Sequence, residues 1–304
     1  MSFVRAYSQR SNTRVLALEA FKTMLTSVSK ETDLVFAGFS EPWLNPDCTR
    51  LIQYAYKAGY KNLHFATTLV GMTVDDIDAL EDIPFKDVRV HLPSSEGTEN
   101  IEVEEKYMSV LSRFRTSRIK TVYRYHGREL HPEVRSVLGS EASRILTLPR
   151  SVSVPDSVDI KLAKKKKGVL TCIYDPSFHF NELLPNGDVL LCCHDWSMRY
   201  VLGNLLTQDY ESLFRGEVFL RVQKELKDRH SDIICRHCLV SRPAALSFEC
   251  LPDLWSTDVR IIICLAIALF AQLPLLQNHF SKKLLRRIGL TKTKIDLGSR
   301  ALND

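Results

Sequence analysis

Four cysteines in the C-terminal half of the chain are the residues best suited to metal chemistry. Cys235 and Cys238 have two residues between them, in Cys-Arg-His-Cys, and this spacing lets both sulfurs of a tight turn face one metal centre. Cys172 and Cys192 lie upstream, with 19 residues between them. Two further thiolates from these positions would complete a tetrahedral set of ligands.

The sequence between Cys172 and Cys192 predicts a β-hairpin that brings the two cysteines together. Residues 181–192 form a short strand, a Pro-Asn-Gly-Asp turn and an apolar strand. Cys193 follows Cys192 directly, and adjacent residues of a strand point to opposite faces, so one of the two would face the metal. The C-x-x-C pair alone also fits a structural zinc clip, a redox pair or coincidence.

These residues resemble the SPASM or twitch extension of radical S-adenosylmethionine (SAM) enzymes, which binds auxiliary 4Fe-4S clusters. The pattern of the extension begins with Cys, a gap, Gly, four residues and Cys, and Cys172, Gly187 and Cys192 reproduce it. The segment Leu202-Gly-Asn-Leu-Leu and the C-x-x-C pair then follow in the same order.

The resemblance implies one auxiliary cluster instead of two. A full SPASM module continues past the C-x-x-C pair with more cysteines at short spacing, whereas position 244 is Ala and the next cysteine is Cys250. The ligands implied by the family pattern are Cys172, Cys192, Cys235 and Cys238, with Cys192 preferred to Cys193 on the family spacing.

An upstream segment resembles a second part of radical SAM enzymes. The apolar strand at 34–36 ends at Gly38, and Ser40-Glu41-Pro42 follows, similar to a Gly-Glu-Pro turn whose backbone holds the amino group of the methionine part of SAM. Ser40 stands where the family usually has a second glycine. The resemblance implies SAM contacts at Gly38, Ser40 and Glu41, on the strand edge where α/β folds place ligands. An ordinary strand-loop-helix corner is the alternative.

One family motif is missing from the sequence. Radical SAM enzymes hold their catalytic cluster on a C-x-x-x-C-x-x-C loop ahead of the helix predicted here at Leu16–Ser27, and the first cysteine of this chain is Cys48. We therefore expect either an N-terminally shortened chain or a degenerate relative, and no reductive cleavage of SAM by this chain. Thr67-Thr-Leu-Val70, in place of the Thr-Asn-Gly that relatives often carry, favours degeneration.

Strands and helices are predicted to alternate through the first half of the chain, which indicates an α/β fold with a parallel sheet. The predicted strands are 34–36, 62–66, 87–92 and 120–125, and the predicted helices between them are 49–58, 74–81 and 102–114. The predicted organisation is a partial (β/α) radical-SAM-type barrel at 1–150, a linker at 151–167, a cysteine-rich α+β auxiliary-cluster module at 168–250 with a helix near 210–227, and an apolar helix with a basic tail at 251–304.

The C-terminal tail combines an apolar segment with excess positive charge. Residues 261–276 carry no charge over 16 positions, and the following 28 residues hold seven Lys or Arg against two Asp. We expect a helix that lies on an anionic membrane surface, with a spanning helix and a buried core or partner helix as alternatives. Eight cysteines without an N-terminal signal pattern predict a reducing, cytoplasmic compartment.

Other polar residues have two readings each. His91, His126 and His131 lie near predicted strand ends, where they could contact a substrate, but lone histidines more often have structural roles. The lysine run 164–167 could contact an acidic partner, although a solvated loop is the more common explanation. His194 and Asp195 could tune a cluster or cap a turn.

Two classes of function remain open. The first is a radical SAM enzyme of the SPASM type acting on an unknown substrate, a peptide or a small metabolite. The second is a non-catalytic 4Fe-4S or zinc-stabilised interaction module that docks at a membrane or at a partner protein, including one that supplies the missing cluster. No feature of the sequence predicts nucleic-acid binding.

Overall fold

The computed structural model describes residues 15–97, 101–148, 165–172, 180–195, 198–238 and 241–244. The described residues from 15 to 243 belong to one compact unit. The apolar segment 261–276 and the predicted boundary at residue 150 lie outside the described residues. Among the helices of the described ranges, none is long and apolar enough to cross a membrane.

A parallel sheet of five strands forms the first half of the described chain. The strands lie in sequence order and are β1 Leu34–Phe36, β2 Leu63–Thr67, β3 Asp87–Leu92, β4 Val122–His126 and β5 Leu146–Leu148. The predicted α/β fold and its four predicted strands are confirmed, whereas β5 was not predicted.

One helix precedes β1, the others connect successive strands, and together they cover one face of this sheet. They are α1 Leu18–Met24, α2 Cys48–Lys57, α3 Val74–Leu80, α4 Glu105–Thr116 and α5 Pro132–Leu138. The helices pack on this face because alternate strand residues there, such as Leu63, Phe65, Val88 and Val90, are apolar and buried in one core. The residues between them point to the opposite face.

Antiparallel strands form the second half of the unit. A three-stranded sheet contains β7 Glu182–Leu183, β8 Asp188–Leu190 and β9 Val201–Asn204, and a two-stranded sheet pairs β6 Leu170–Cys172 with β10 Ser241–Pro243. The predicted hairpin across 181–192 is confirmed by the β7–β8 pairing.

The helix predicted near 210–227 is in fact two helices. They are α6 Tyr210–Leu213 and α7 Glu217–Lys227. Gly216 separates them in an extended conformation, with φ −71° and ψ 157°, and serves as the N-cap of α7. Glycine weakens a helix interior because it loses more conformational entropy than any other residue on folding, so the break occurs there.

The hairpin turn explains one glycine of the family pattern. Gly187 has φ +90°, and a Cβ at this position would lie 2.7 Å from Oδ1 of Asn204. The side-chain amide of Asn204 donates to the carbonyl of Asn186 at 3.0 Å and to Asp188 Oδ1 at 2.9 Å. The Gly187 turn and the Leu-Gly-Asn segment are therefore fixed to each other, which holds the strand that leads to Cys192.

The antiparallel half packs against the first helix of the parallel half. The backbone N–H of Tyr210 donates to the hydroxyl of Ser27 at 3.2 Å. Phe21 of α1 belongs to the same hydrophobic cluster as Leu170 and Leu213. One core therefore links the parallel sheet to the cysteine-rich residues.

Candidate metal centre and the loop after the first strand

Five cysteines from three chain segments converge in the antiparallel half. Cys172 ends β6, Cys192 and Cys193 follow β8, and Cys235 and Cys238 lie in and after a 3-10 turn. The thiol of Cys192 interacts electrostatically with those of Cys193, Cys235 and Cys238. The thiols of Cys193 and Cys235 each interact with those of Cys172 and Cys238. The four predicted ligands therefore share one region with Cys193.

Burial favours the protonated form of three of these thiols, those of Cys192, Cys193 and Cys235. It raises the pKa of Cys235 to about 12 and that of Cys193 to about 11, and it also raises the pKa of Cys192. Metals bind the thiolate form, so loading this site must release protons. In the ranges that the structure describes, no three His, Cys, Asp or Glu side chains are arranged to hold a single metal ion.

The surroundings of Cys192 and Cys193 differ. The backbone N–H of His194 donates to the Cys192 sulfur and opposes the rise of its pKa. The Cys193 thiol instead faces the carboxylate of Glu182, whose charge raises the thiol pKa. An N–H donor suits a ligand thiolate better than a neighbouring carboxylate does, which favours Cys192. The ligand assignment stays a prediction.

Asp195 caps the turn that follows these cysteines. Its carboxylate accepts the backbone N–H groups of Arg199 at 3.0 Å and Tyr200 at 2.7 Å, and the residue is 1% exposed. Asp195 therefore caps the turn, which is one of the two roles suggested by the sequence. The backbone N–H of His194 donates to the Cys192 sulfur.

Ser241 joins the C-x-x-C turn to Cys172. It pairs with Cys172 across β6 and β10, and its hydroxyl contacts the carbonyl oxygens of Cys235 and of Cys238, the latter at 3.1 Å. The ammonium of Lys166 donates to the Ser241 carbonyl at 2.7 Å and to the Cys238 carbonyl. Lys166 is thus half-buried, whereas its neighbours Lys165 and Lys167 are exposed, so the prediction of a solvated loop fails for Lys166 alone among the described lysines of this run.

Arg236, inside Cys-Arg-His-Cys, is a buried scaffold residue with 1% of its surface exposed. Its guanidinium donates to the carbonyl oxygens of Ser231 at 2.6 Å, Lys166 at 2.9 Å and Gly168 at 3.0 Å, and also to that of Asp228. Because these carbonyls belong to two other segments, 228–231 and 166–168, Arg236 fixes the C-x-x-C turn against the end of α7 and the approach to β6.

The family comparison agrees with this geometry. Residues 172–239 match the family model of SPASM, described as an iron-sulfur cluster-binding domain. We refer to residues 172–239 as the SPASM domain after this match. The SPASM domain begins at Cys172 and contains all five converging cysteines.

Two solved structures are similar to the chain at low identity. One is BtrN in complex with AdoMet and 2-DOIA, with 14% identity, a TM-score of 0.45, and coverage of 73% of this chain and 78% of BtrN. The other is native anSMEcpe with bound AdoMet and Kp18Cys peptide, with 14% identity, a TM-score of 0.49, and coverage of 78% and 82%. No curated protein sequence matches the chain.

Glu41, a predicted SAM contact, ties two loops of the parallel sheet together. Its carboxylate accepts hydrogen bonds from the Thr67 hydroxyl and from the N–H and hydroxyl of Thr68, the last two at 2.7 Å. Burial raises the pKa of Glu41, and these hydrogen bonds oppose the rise. Gly38 and Ser40 are exposed, so a ligand can reach this loop at these two residues. SAM binding there stays a prediction.

The SPASM domain meets this loop through Glu182 of β7. Gly38 has φ +129°, and a Cβ there would lie 1.9 Å from Oε1 of Glu182. The Glu182 carboxylate accepts the backbone N–H of Phe39, and burial raises its pKa to about 8. Phe39 also packs on Leu184 and Leu190. This contact joins the two predicted binding regions and was not predicted.

We predict that Gly38→Ala destabilises the chain by about 2 kcal/mol or more, because it combines a left-handed backbone with a clash against Glu182. Gly59→Ala is the matched control, since Gly59 has φ +99° and a Cβ there would meet nothing within 4 Å. Urea unfolding of both variants measures the difference. Equal losses would show that the Glu182 contact contributes nothing.

We also predict that Glu182→Gln changes the pH dependence of stability. The pKa of Glu182 is raised in the folded chain from 4.5 to about 8, so its protonated form stabilises the fold fully below the unfolded pKa. That contribution is lost as the pH rises through the folded pKa. Glutamine can accept the same Phe39 N–H but does not ionise, so the variant should gain stability relative to wild type at alkaline pH. A difference in unfolding free energy between Glu182→Gln and wild type that stays the same at all pH values would contradict this prediction.

Proposed function

We propose that the SPASM domain binds one auxiliary-type 4Fe-4S cluster through Cys172, Cys192, Cys235 and Cys238. The observation that carries the proposal is the convergence of these thiols in one partly buried region of the matched residues. Thiolates are soft ligands, which suit iron-sulfur clusters and zinc. A 4Fe-4S cluster at this position would supply one-electron transfer.

The protein itself prepares the site in three ways. Ser241 and Lys166 hold the C-x-x-C carbonyls next to the strand that ends at Cys172. Arg236 holds the same turn through its hydrogen bond to the carbonyl of Lys166. The His194 N–H donates to the Cys192 sulfur, and hydrogen bonds to ligand sulfurs tune the reduction potential of a cluster.

We further propose that the parallel sheet and the SPASM domain act as a radical SAM-type scaffold, with the loop from Gly38 to Glu41 as the SAM contact. The support is the position of this loop at the carboxyl end of β1, its exposed backbone, and its direct contact with the SPASM domain through Glu182. The substrate class, a peptide or a small metabolite, and a partner that supplies a further cluster belong to the same proposal.

Metal analysis of the full chain tests the cluster proposal. We expect anaerobically purified protein, reconstituted with iron and sulfide, to be brown and to hold about four iron and four sulfide per chain. Zinc bound in the same protein, without iron or sulfide, would instead support a zinc-stabilised interaction module. The untreated protein, analysed for all three elements, controls for exchange during reconstitution.

A further inference from the structure

The sheet face opposite the helices carries a basic cluster toward the carboxyl ends of its strands. His91 of β3 is the register partner of Arg124 of β4, and His126 lies two residues beyond Arg124 on the same face. Parallel sheets usually bury apolar residues on both faces, so charged and titratable side chains here are unusual. The carboxyl edge of such a sheet is also where ligands bind.

Two other basic residues of this face have carboxylate partners. Arg89 forms an ion pair with Asp87, with 2.6 Å between Nε and Oδ2. Nε2 of His64 lies 3.4 Å from Oδ1 of Asp33. Both aspartates lie at the amino ends of their strands. The carboxylates that pair with Arg89 and His64 are therefore at the end of the sheet away from Arg124.

Arg124 lacks such a partner within the described residues. Its Nε is buried without a hydrogen bond there, and none of the ion pairs between described residues includes it. Glu96, on the loop after β3, is bound to the backbone N–H of Arg128 at 3.0 Å. Burying a polar atom of a charged group without a partner is costly, so Arg124 is arranged for a group that arrives from outside.

The two histidines beside Arg124 form a pair of their own. Nδ1 of His91 lies 3.2 Å from Nε2 of His126, and the rings stack with centroids 5.3 Å apart and 11° between their planes. A hydrogen bond between two imidazoles requires one ring nitrogen to donate and the other to accept. When both rings are neutral, the pair has one further imidazole N–H, which can act as a donor beside the guanidinium.

We propose that Arg124, together with His91 and His126, binds the oxyanion of a small molecule, a carboxylate or a phosphate. The planar guanidinium fork matches two oxygens of either group, and an anion would neutralise its charge and reach the buried Nε. This subsite lies outside the SPASM domain and does not require the cluster, so its test is independent of the iron and sulfide measurement.

Binding of inorganic phosphate and of acetate to the cluster-loaded full chain, measured by calorimetry at constant ionic strength, tests the proposal. We expect saturable binding in the millimolar range and a loss of roughly tenfold or more in Arg124→Gln. Arg89→Gln is the matched control, because Arg89 lies on the same face but is already paired with Asp87. It should leave the affinity within about twofold of wild type.

Arg124→Lys keeps the charge but loses the fork, so it should bind more weakly than wild type and more tightly than Arg124→Gln. If Arg124→Gln does not fold, Arg124→Lys serves as the test variant. A titration with SAM distinguishes two sources of the anion: competition with phosphate assigns the subsite to the carboxylate of SAM, and simultaneous binding assigns it to a second molecule. Wild-type affinity in the Arg124 variants, equal losses in Arg89→Gln, or no saturable binding of either anion would overturn the proposal.

Discussion

Cys235→Ala is expected to abolish cluster assembly and to loosen the SPASM domain. Cys235 is buried and its thiol interacts with those of Cys172 and Cys238, so its loss removes one ligand from the centre of the set. Metal binding contributes to the folding of small cysteine-rich modules, which have little core of their own. Iron and sulfide per chain, with the visible absorbance, measure the loss of the cluster, and limited proteolysis measures the loosening.

The matched control for this variant is Cys193→Ala. It removes a neighbouring thiol of the same region that the ligand assignment leaves out, so iron and sulfide should stay at the wild-type level. If Cys193→Ala loses the cluster while Cys192→Ala keeps it, Cys193 is the ligand and Cys192 is not. A full complement of iron and sulfide in Cys235→Ala would contradict the proposed ligand set.

Arg236→Met is expected to lower the free energy of unfolding by about 3 kcal/mol or more, although Arg236 is not a ligand. Methionine fills a similar space but donates no hydrogen bonds, so carbonyl oxygens of Ser231, Lys166, Gly168 and Asp228 lose their donor in a buried place. Leaving such groups unpaired costs more than the bond itself contributes. Urea unfolding of the metal-free chain measures the effect without a contribution from the cluster.

Arg242→Met controls for the loss of a positive charge near the same turn, because Arg242 is an exposed residue of β10. It should change the stability by less than about 0.5 kcal/mol. Arg236→Lys should recover only part of the loss, since one ammonium cannot reach all of these segments. Equal effects of Arg236→Met and Arg242→Met would show that the carbonyl contacts are not needed.

Most strands and helices of the first half could be predicted because their apolar residues repeat with clear periods, although α5 and β5 were missed. The strand at Leu34–Phe36 and the helix at Val74–Leu80 lie where the pattern places them. The turn at Gly187 could also be predicted, since Pro-Asn-Gly-Asp between apolar residues is a strong hairpin signal. The break at Gly216 was missed because the hydrophobic period continues across it.

The supports of the candidate site could not be predicted, because they join residues far apart in sequence. The contact between Lys166 and Ser241 spans 75 residues, and nothing in the local sequence of either residue indicates it. Glu182 against Gly38 depends in the same way on how the SPASM domain packs on the loop after β1. His91 and His126 looked like lone histidines until the strand register placed their rings in contact.

One 4Fe-4S cluster bound by four cysteines has a characteristic Mössbauer spectrum. We would record this spectrum for the full chain, reconstituted anaerobically with isotopically enriched iron. We expect a single diamagnetic component typical of an oxidised 4Fe-4S cluster, with all of its iron lost in Cys235→Ala and kept in Cys193→Ala. A spectrum of adventitious ferric or ferrous iron alone, or a cluster that survives in Cys235→Ala, would contradict it.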